Sequence, residues 1–153
     1  MPALLQMVAA SGGPRLRAAF AAAGLDGIRP AQAVALVPLV GGALHASALA
    51  DRLGVTRQAV AQAVGALERH GYVSRSRDEV DARTLLIELT PRGREALHVM
   101  RANAQAIEQD WRQALGSARF DDLRNTLEIL LRHAPNATAV PPRRTPLIES
   151  PFR

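Results

Sequence analysis

The chain has 153 residues, of which 48% are hydrophobic and 3% aromatic, and its formal net charge is +5. This length suits one domain with an ordered extension, and an aliphatic composition favours helices that pack through Leu, Val and Ala. The sequence contains no cysteine, which excludes disulfides, Cys-based zinc sites and thiol redox sensing.

Arginine alone carries the positive charge, because all 19 basic residues are Arg. The codons of a GC-rich genome favour Arg and would explain why Lys is absent, and a charge run is usually a solvated face. The excess of positive charge also suits nucleic acid, because guanidinium groups displace counterions and fit phosphates and guanine edges. No stretch approaches the roughly 20 apolar residues of a membrane-spanning helix. The apolar stretch 4–10 is short and lacks the preceding basic residue of a secretory signal. We therefore expect a cytoplasmic protein.

The N-terminal third predicts an arm followed by helices. Residues 1–14 end in Ser-Gly-Gly-Pro, which predicts a flexible arm or a frayed helix, and residues 15–29 predict a short helix and a turn. Pro30 is suited to the first turn of the next helix. Pro38 lies inside the apolar pattern of that helix and should kink or shorten it.

The segment 47–71 predicts two short helices joined by a tight turn. Ser47 is a suitable N-cap for a helix that ends at Gly54, and Thr56 is a suitable N-cap for a helix that ends at Gly71. Helices joined so closely must cross at a steep angle, which is the helix-turn-helix geometry. Apolar residues fall where these helices should face each other, namely Leu49, Ala50, Leu53, Val55, Val60 and Val64.

The periodicity changes after the second of these helices. Residues 72–76 and 84–90 have β character, and the charged loop 77–83 lies between them. Two strands around such a loop, directly after a helix-turn-helix, predict a wing. An Arg at the tip of a wing can enter a minor groove, where the phosphates focus negative potential.

Two helices are predicted at the C-terminal side. Thr90 and Pro91 form an N-cap and a first-turn proline, and apolar residues then recur at spacings of three and four up to Gly116. A further helix follows Ser117. These helices carry more apolar surface than a small winged domain can cover, so we predict dimerisation through Leu97, Met100, Ile107, Trp111, Leu123, Leu127 and Leu130. Residues 133–153 are rich in proline and predict a disordered tail.

This order of elements resembles the MarR family of winged helix-turn-helix regulators. The resemblance rests on residues 47–62, on Leu-Glu-Arg-His-Gly-Tyr-Val at 67–73, and on Leu-Thr-Pro-Arg-Gly at 89–93. It also rests on the D-x-x-D-x-R spacing of Asp78, Asp81 and Arg83 in the wing. The similarity covers roughly residues 15–132. The residue after the first wing Asp is Glu79, where the family usually has Pro.

The resemblance implies a mainly α fold with a small β wing. Residues 30–94 would form the DNA-binding domain, while 15–29 and 95–132 would supply dimerisation helices. A symmetric homodimer would then read an inverted repeat in duplex DNA, most simply as a repressor. Arg83 would enter the minor groove, braced by Asp81 or Asp78.

The second helix of the pair would read the DNA bases. Val60, Val64 and Leu67 should face the core, which leaves the opposite face of the first turns for base edges. The predicted base-reading residues are Arg57, Gln58, Ala61 and Gln62. The competing interpretation is that both glutamines are solvated surface. The predicted contacts to the DNA backbone or from the wing are Ser47, Thr56, Arg69, Arg75, Arg77, Asp81, Arg83 and Arg92.

We expect no catalysis, cofactor or metal. The histidines His45, His70, His98 and His133 have no paired metal-ligand spacing, and no phosphate loop or nucleophile elbow is present. The family resemblance implies a small aromatic ligand, for which Phe20, Leu36 and Trp111 are pocket candidates, although core or interface is the more usual role of such side chains. The alternative function is a winged helix that serves only for dimerisation or protein contact.

Overall fold

The computed structural model of the protein describes residues 1–78 and 84–133. The chain forms two compact units, of which the first is Met1–Asn103 and the second begins at Ala104. The described residues confirm a mainly α fold with a small antiparallel sheet. In chain order the elements are α1 (Pro2–Ala22), α2 (Pro30–Ala33), a 3-10 helix (Val34–Gly41), β1 (Leu44–His45), α3 (Ala46–Leu53), α4 (Arg57–Arg69), β2 (Val73–Arg77), β3 (Leu85–Leu89), α5 (Pro91–Leu115) and α6 (Ser117–His133).

Helix α1 is longer than the sequence predicts. It begins at Pro2, so residues 2–14 belong to one continuous helix where a flexible arm or a frayed helix was expected, and Pro14 lies inside the helix. Ala, Leu and Met around the Ser-Gly-Gly-Pro stretch favour a helix. The Ser11 hydroxyl donates to the carbonyl of Val8 at 2.7 Å, which gives this polar side chain a partner within the helix.

The predicted effect of Pro38 is confirmed. Pro30 occupies the first turn of α2, but the α-helical geometry lasts only to Ala33. The chain then continues as a 3-10 helix that contains Pro38. Since Pro38 has no N–H, it cannot supply one of the hydrogen bonds that a longer α-helix would need.

The helix-turn-helix is present, with one cap placed differently from the prediction. Helix α3 begins directly after β1 with His45 as its N-cap residue, so Ser47 is not the N-cap but lies in the first turn. Gly54 has φ +64 and ends α3 as predicted. Thr56 caps α4, because its Oγ1 accepts a hydrogen bond from the backbone N–H of Ala59 at 3.1 Å.

The described strands form one antiparallel sheet in the order β1-β3-β2. Strand β2 pairs with β3 from Val73 opposite Leu89 to Arg77 opposite Leu85. The N–H of Asp78 donates to the carbonyl of Thr84 at 3.1 Å and extends this ladder toward the wing loop. The two-residue strand β1, on the other edge of β3, is absent from the sequence prediction.

The core of the first unit is apolar among the described residues. Val60, Val64 and Leu67 of α4 are each at most 2% exposed, which confirms the predicted inward face of that helix. Val55, predicted to face inward, is 46% exposed. The other principal core residues are Phe20, Leu25, Ile28, Ala33, Leu36, Leu39, Leu49, Ala50, Tyr72, Val73, Ile87, Ala96 and Leu97.

The start of α5 lies against the turn between α4 and β2. The Thr90 hydroxyl donates to the carbonyl of Gly71 at 2.6 Å and accepts from the N–H of Gly93 at 3.1 Å, so Thr90 caps the helix as predicted. The backbone of Gly93 lies very close to the backbone of Tyr72, since a Cβ at position 93 would overlap the carbonyl oxygen of Tyr72. Only glycine permits this backbone-to-backbone distance.

The second unit contains the C-terminal part of α5 and helix α6. Gly116, with φ +77, makes the turn between them. Phe120 is 5% exposed and has the guanidinium carbons of Arg112 and Arg124 at 4.2 and 5.2 Å from its ring centre. Arg112 also pairs with Asp121 at 3.3 Å. Across the residues described here, no helix has the length and apolar character needed to span a membrane.

Candidate nucleic-acid interface

The outward face of α4 brings the four predicted base-reading residues together. Arg57, Gln58, Ala61 and Gln62 are all exposed, and their spacing places them on neighbouring turns of one helix face. The acidic residue of α4, Glu68, lies in its C-terminal part. The first two turns therefore present donors and a methyl group without a carboxylate that would repel phosphate.

The N-terminal end of α4 adds to this positive character. Its backbone N–H groups carry a partial positive charge, and Arg57 stands at the first helical position. Thr56 uses its hydroxyl oxygen as the helix cap, which leaves its O–H available as a donor. Ser47, in the first turn of α3, is half-buried.

The arginines on β2 and at the end of α4 differ in their surroundings. Arg69, in the last turn of α4, and Arg77, at the end of β2, are exposed. The Nε of Arg75 lies 3.3 Å from Oε2 of Glu68, and this ion pair joins β2 to α4. Arg75 therefore has an intramolecular partner, while its side chain remains 33% exposed.

Arg92 is held by contacts within the first unit. Its guanidinium pairs with the carboxylate of Asp26 and lies 5.0 Å from the ring centre of Tyr72. The Tyr72 hydroxyl in turn donates to the carbonyl of Asp26 at 2.7 Å. The sequence grouped Arg92 with the phosphate contacts, but these partners indicate that it holds the segment after α1 against the start of α5.

The wing loop itself is only partly described. Asp81 and Arg83 lie outside the described residues, as does Glu79. At the base of the wing, Oδ2 of Asp78 lies 3.1 Å from Nε2 of His45. Sequence reasoning missed His45, because its partner comes from a distant strand and no local pattern marks the pair.

The predicted dimerisation residues range from buried to exposed. Leu97 is 6% exposed, whereas Leu123 and Leu130 of α6 are 36% and 51% exposed. Met100, Ile107, Trp111 and Leu127 are half-buried.

Of the pocket candidates, Phe20 and Leu36 are buried in the core of the first unit, and Trp111 belongs to the second. Residues 1–78 and 84–133 contain no group of three His, Asp or Glu side chains suited to a metal.

Comparison with known proteins agrees with this arrangement. A sequence model of the MarR family matches residues 26–84. The transcriptional activatory protein BadR of Rhodopseudomonas palustris is 34% identical over 96 residues, which are 62% of this chain but only 53% of that protein.

Solved structures extend the similarity over most of the chain. A probable transcriptional regulator from Pseudomonas aeruginosa is 28% identical, with a TM-score of 0.62 over 82% of this chain and 96% of that one. A MarR transcriptional regulator from Methanosarcina mazei is 22% identical, with a TM-score of 0.72 over 86% of this chain and 94% of that one. The chain is therefore similar to the MarR family over residues 26–84, and over most of its length it shares the winged helix-turn-helix fold of these solved regulators.

Proposed function

We propose that the protein binds duplex DNA as a homodimer, reads an inverted repeat and thereby represses transcription, without catalysis of its own. The observation that carries this proposal is the exposed, acid-free face of α4 over its first two turns. The face is polar and basic, and it stands on a helix whose opposite side is fully packed into the core. A helix held in this way can enter a major groove as a rigid element.

Each side chain on this face has a base that it fits. The guanidinium of Arg57 can donate twice to guanine, and the amides of Gln58 and Gln62 can each pair with adenine. The methyl group of Ala61 suits a thymine methyl. Each good bidentate pair is worth about 1–3 kcal/mol of discrimination, so this face supplies sequence specificity.

Other groups would contact the DNA backbone and set the position of the helix. Arg69 in the last turn of α4 and Arg77 at the end of β2 are exposed cations. Ser47 and Thr56 offer hydroxyl groups near the starts of α3 and α4. Arg75 would contribute only partly, since it also pairs with Glu68. Arg83, braced by Asp81 or Asp78, would contact the minor groove. Such contacts raise affinity for any sequence and make binding salt-dependent.

Dimerisation is supported by the apolar surface of the second unit. Leu130 and the neighbouring Ile129 and Leu131 are between 49% and 54% exposed, which is unusual for three large apolar side chains in a row. A second copy of the chain would cover this surface. With twofold symmetry, two α4 helices would read two half-sites about one helical turn apart.

A titration tests the proposal. The purified protein is added to a labelled duplex from the intergenic DNA upstream of its own gene and to a scrambled duplex, at several salt concentrations. We expect tighter binding to the former and protection in two patches about one helical turn apart. Equal binding to both duplexes would contradict operator recognition at this site, and no binding at low salt would favour the alternative of a dimerisation or protein-interaction module.

The direction of regulation and the ligand need separate tests. Because one relative is described as a transcriptional activatory protein, a promoter–reporter fusion in cells with and without the protein must distinguish repression from activation. A small aromatic ligand near Phe20, Leu36 or Trp111 stays a prediction. The chain contains a single Trp, so quenching of its fluorescence by added phenols or aromatic carboxylates would report binding near Trp111 directly.

A further inference from the structure

We propose that His45 is a positioning residue for the wing, which it holds in its DNA-binding orientation through Asp78. This inference rests on the proposed DNA-binding function and adds a residue that no local sequence pattern marks. It follows from where the two side chains lie in the sheet, from their exposure, and from the elements that they connect.

The sheet register places both side chains on one face. Leu86 of the central strand β3 is paired with His45 of β1 on one edge and with Ser76 of β2 on the other edge. Residues opposite each other share a face, and alternate residues of a strand share a face. The side chains of His45, Leu86, Ser76 and Asp78 therefore project to the same side. The imidazole of His45 reaches over β3 to Oδ2 of Asp78, 3.1 Å from its Nε2.

Asp78 is the more enclosed partner. Its side chain is 17% exposed, compared with 40% for His45. A carboxylate removed from water to this extent loses hydration that nearby donors must replace. The Nε2–H of His45 is one such donor. Loss of this N–H is therefore expected to change the conformation of the Asp78 side chain.

In the hydrogen bond between His45 and Asp78, Nε2 of His45 is the donor. Nδ1 of His45 is buried and has no hydrogen-bond partner among the described residues, so a proton on Nδ1 alone would leave both ring nitrogens poorly satisfied. A proton on Nε2 points at Asp78 in either the neutral or the charged ring. A glutamine amide at position 45 can supply the same kind of donor, whereas a leucine of similar volume cannot.

The pair connects two parts that would meet DNA. His45 is the N-cap residue of α3, the first helix of the helix-turn-helix. Asp78 directly follows the last residue of β2, and its N–H donates to the carbonyl of Thr84 on the returning side of the hairpin. The base of the wing is thus tied to the helix-turn-helix by a side-chain bond as well as by the β-ladder. Loss of the bond should free the wing while leaving α4 in place.

The test compares His45→Leu with His45→Gln. The probes are a duplex that the wild-type protein selects from a random pool and a scrambled duplex, each titrated by fluorescence anisotropy over a range of salt. For His45→Leu we expect about tenfold weaker binding to both duplexes and a salt slope shallower by about one per protomer. The ratio of the two affinities should stay near the wild-type ratio, because α4 still reads the bases. His45→Gln should retain wild-type affinity and slope, as should the control His98→Ala.

A second background tests whether His45 acts through the wing. In Arg83→Ala protein, where the predicted minor-groove contact is already missing, His45→Leu should weaken binding by less than twofold. An equal loss in both backgrounds would overturn the inference, as would wild-type binding by His45→Leu. If neither position-45 variant folds, judged by circular dichroism, His45 holds the fold and the inference is also overturned. Failure of the wild-type protein to bind either duplex would instead reject the proposed function.

Discussion

Removing the guanidinium of Arg92 should lower stability without changing the contacts to DNA. The perturbation is Arg92→Met, which keeps an unbranched apolar chain against its neighbours and deletes the charged group. The ion pair with Asp26 is largely solvated, since the two side chains are 37% and 85% exposed, and such pairs contribute about 0.2–1 kcal/mol. The guanidinium over the Tyr72 ring, at 5.0 Å, adds about 0.5–1 kcal/mol.

The expected total is therefore about 1–2 kcal/mol of folding free energy. For a chain of this size, that corresponds to a melting temperature lower by roughly 3–6 °C. Thermal unfolding followed by circular dichroism measures it, at one fixed protein concentration because the stability of the proposed dimer would depend on concentration. Asp26→Asn is the matched control that removes the ion pair and leaves the Arg92 side chain present, and it should cost less.

DNA titration gives the result that would refute this reasoning. If Arg92 only holds the fold, Arg92→Met should show the wild-type salt slope when it binds scrambled duplex. Arg69→Ala, which removes an exposed cation, should reduce the slope by about one and leave the melting temperature near that of the wild type. A reduced slope together with an unchanged melting temperature for Arg92→Met would show that Arg92 contacts phosphate.

Four further changes have defined outcomes. Gln62→Ala should weaken binding to the selected duplex by about 1–3 kcal/mol but barely affect scrambled duplex; an equal loss on both would make Gln62 a backbone contact. Gly93→Ala should cost at least about 1–3 kcal/mol in urea unfolding, because the new Cβ meets the carbonyl of Tyr72. Burial raises the pKa of Tyr72, with Arg92 opposing this effect. The neutral phenol is thus favoured in the folded state, so the contribution of Tyr72 to stability should be fully present below the ordinary pKa of 10.0 and be lost as the pH rises above it. Absorbance of the single Tyr reports that ionisation directly, and Tyr72→Phe should abolish the pH dependence. Leu130→Glu should shift sedimentation toward the monomer; an unchanged dimer would place the interface elsewhere.

Local signals predicted most of the winged domain. The caps and turns at Gly54, Thr56 and Thr90 depend on the chemistry of single residues, and the structure has each of them where the sequence predicts it. The inward face of α4 follows from the helical period. These features are set by neighbours in sequence, which is why they can be recognised without the fold.

Features that depend on distant partners could not be predicted in this way. Strand β1 is only two residues long and exists because it pairs with β3, so its own residues carry no strand pattern. Its presence starts α3 at Ala46 and moves the N-cap from Ser47 to His45. The contacts of Arg92 with Asp26 and Tyr72 depend likewise on residues that only the fold brings together.

The N-terminal helix shows a different kind of error. Ser-Gly-Gly-Pro at 11–14 is a typical loop composition, yet α1 continues through it. Turn-forming residues lower the stability of a helix without forbidding it. Here the alanine-rich residues on both sides and the bond from Ser11 to Val8 outweigh them.

The close approach of Gly93 to Tyr72 limits how the protein can recover from mutation. When two side chains clash, a smaller residue at either position can relieve the overlap. The atom that Gly93 would meet is a backbone carbonyl oxygen, and every amino acid at position 72 supplies the same atom. A selection for revertants of Gly93→Ala should therefore yield no suppressor at position 72. It should return glycine at position 93, or changes elsewhere that shift the whole start of α5.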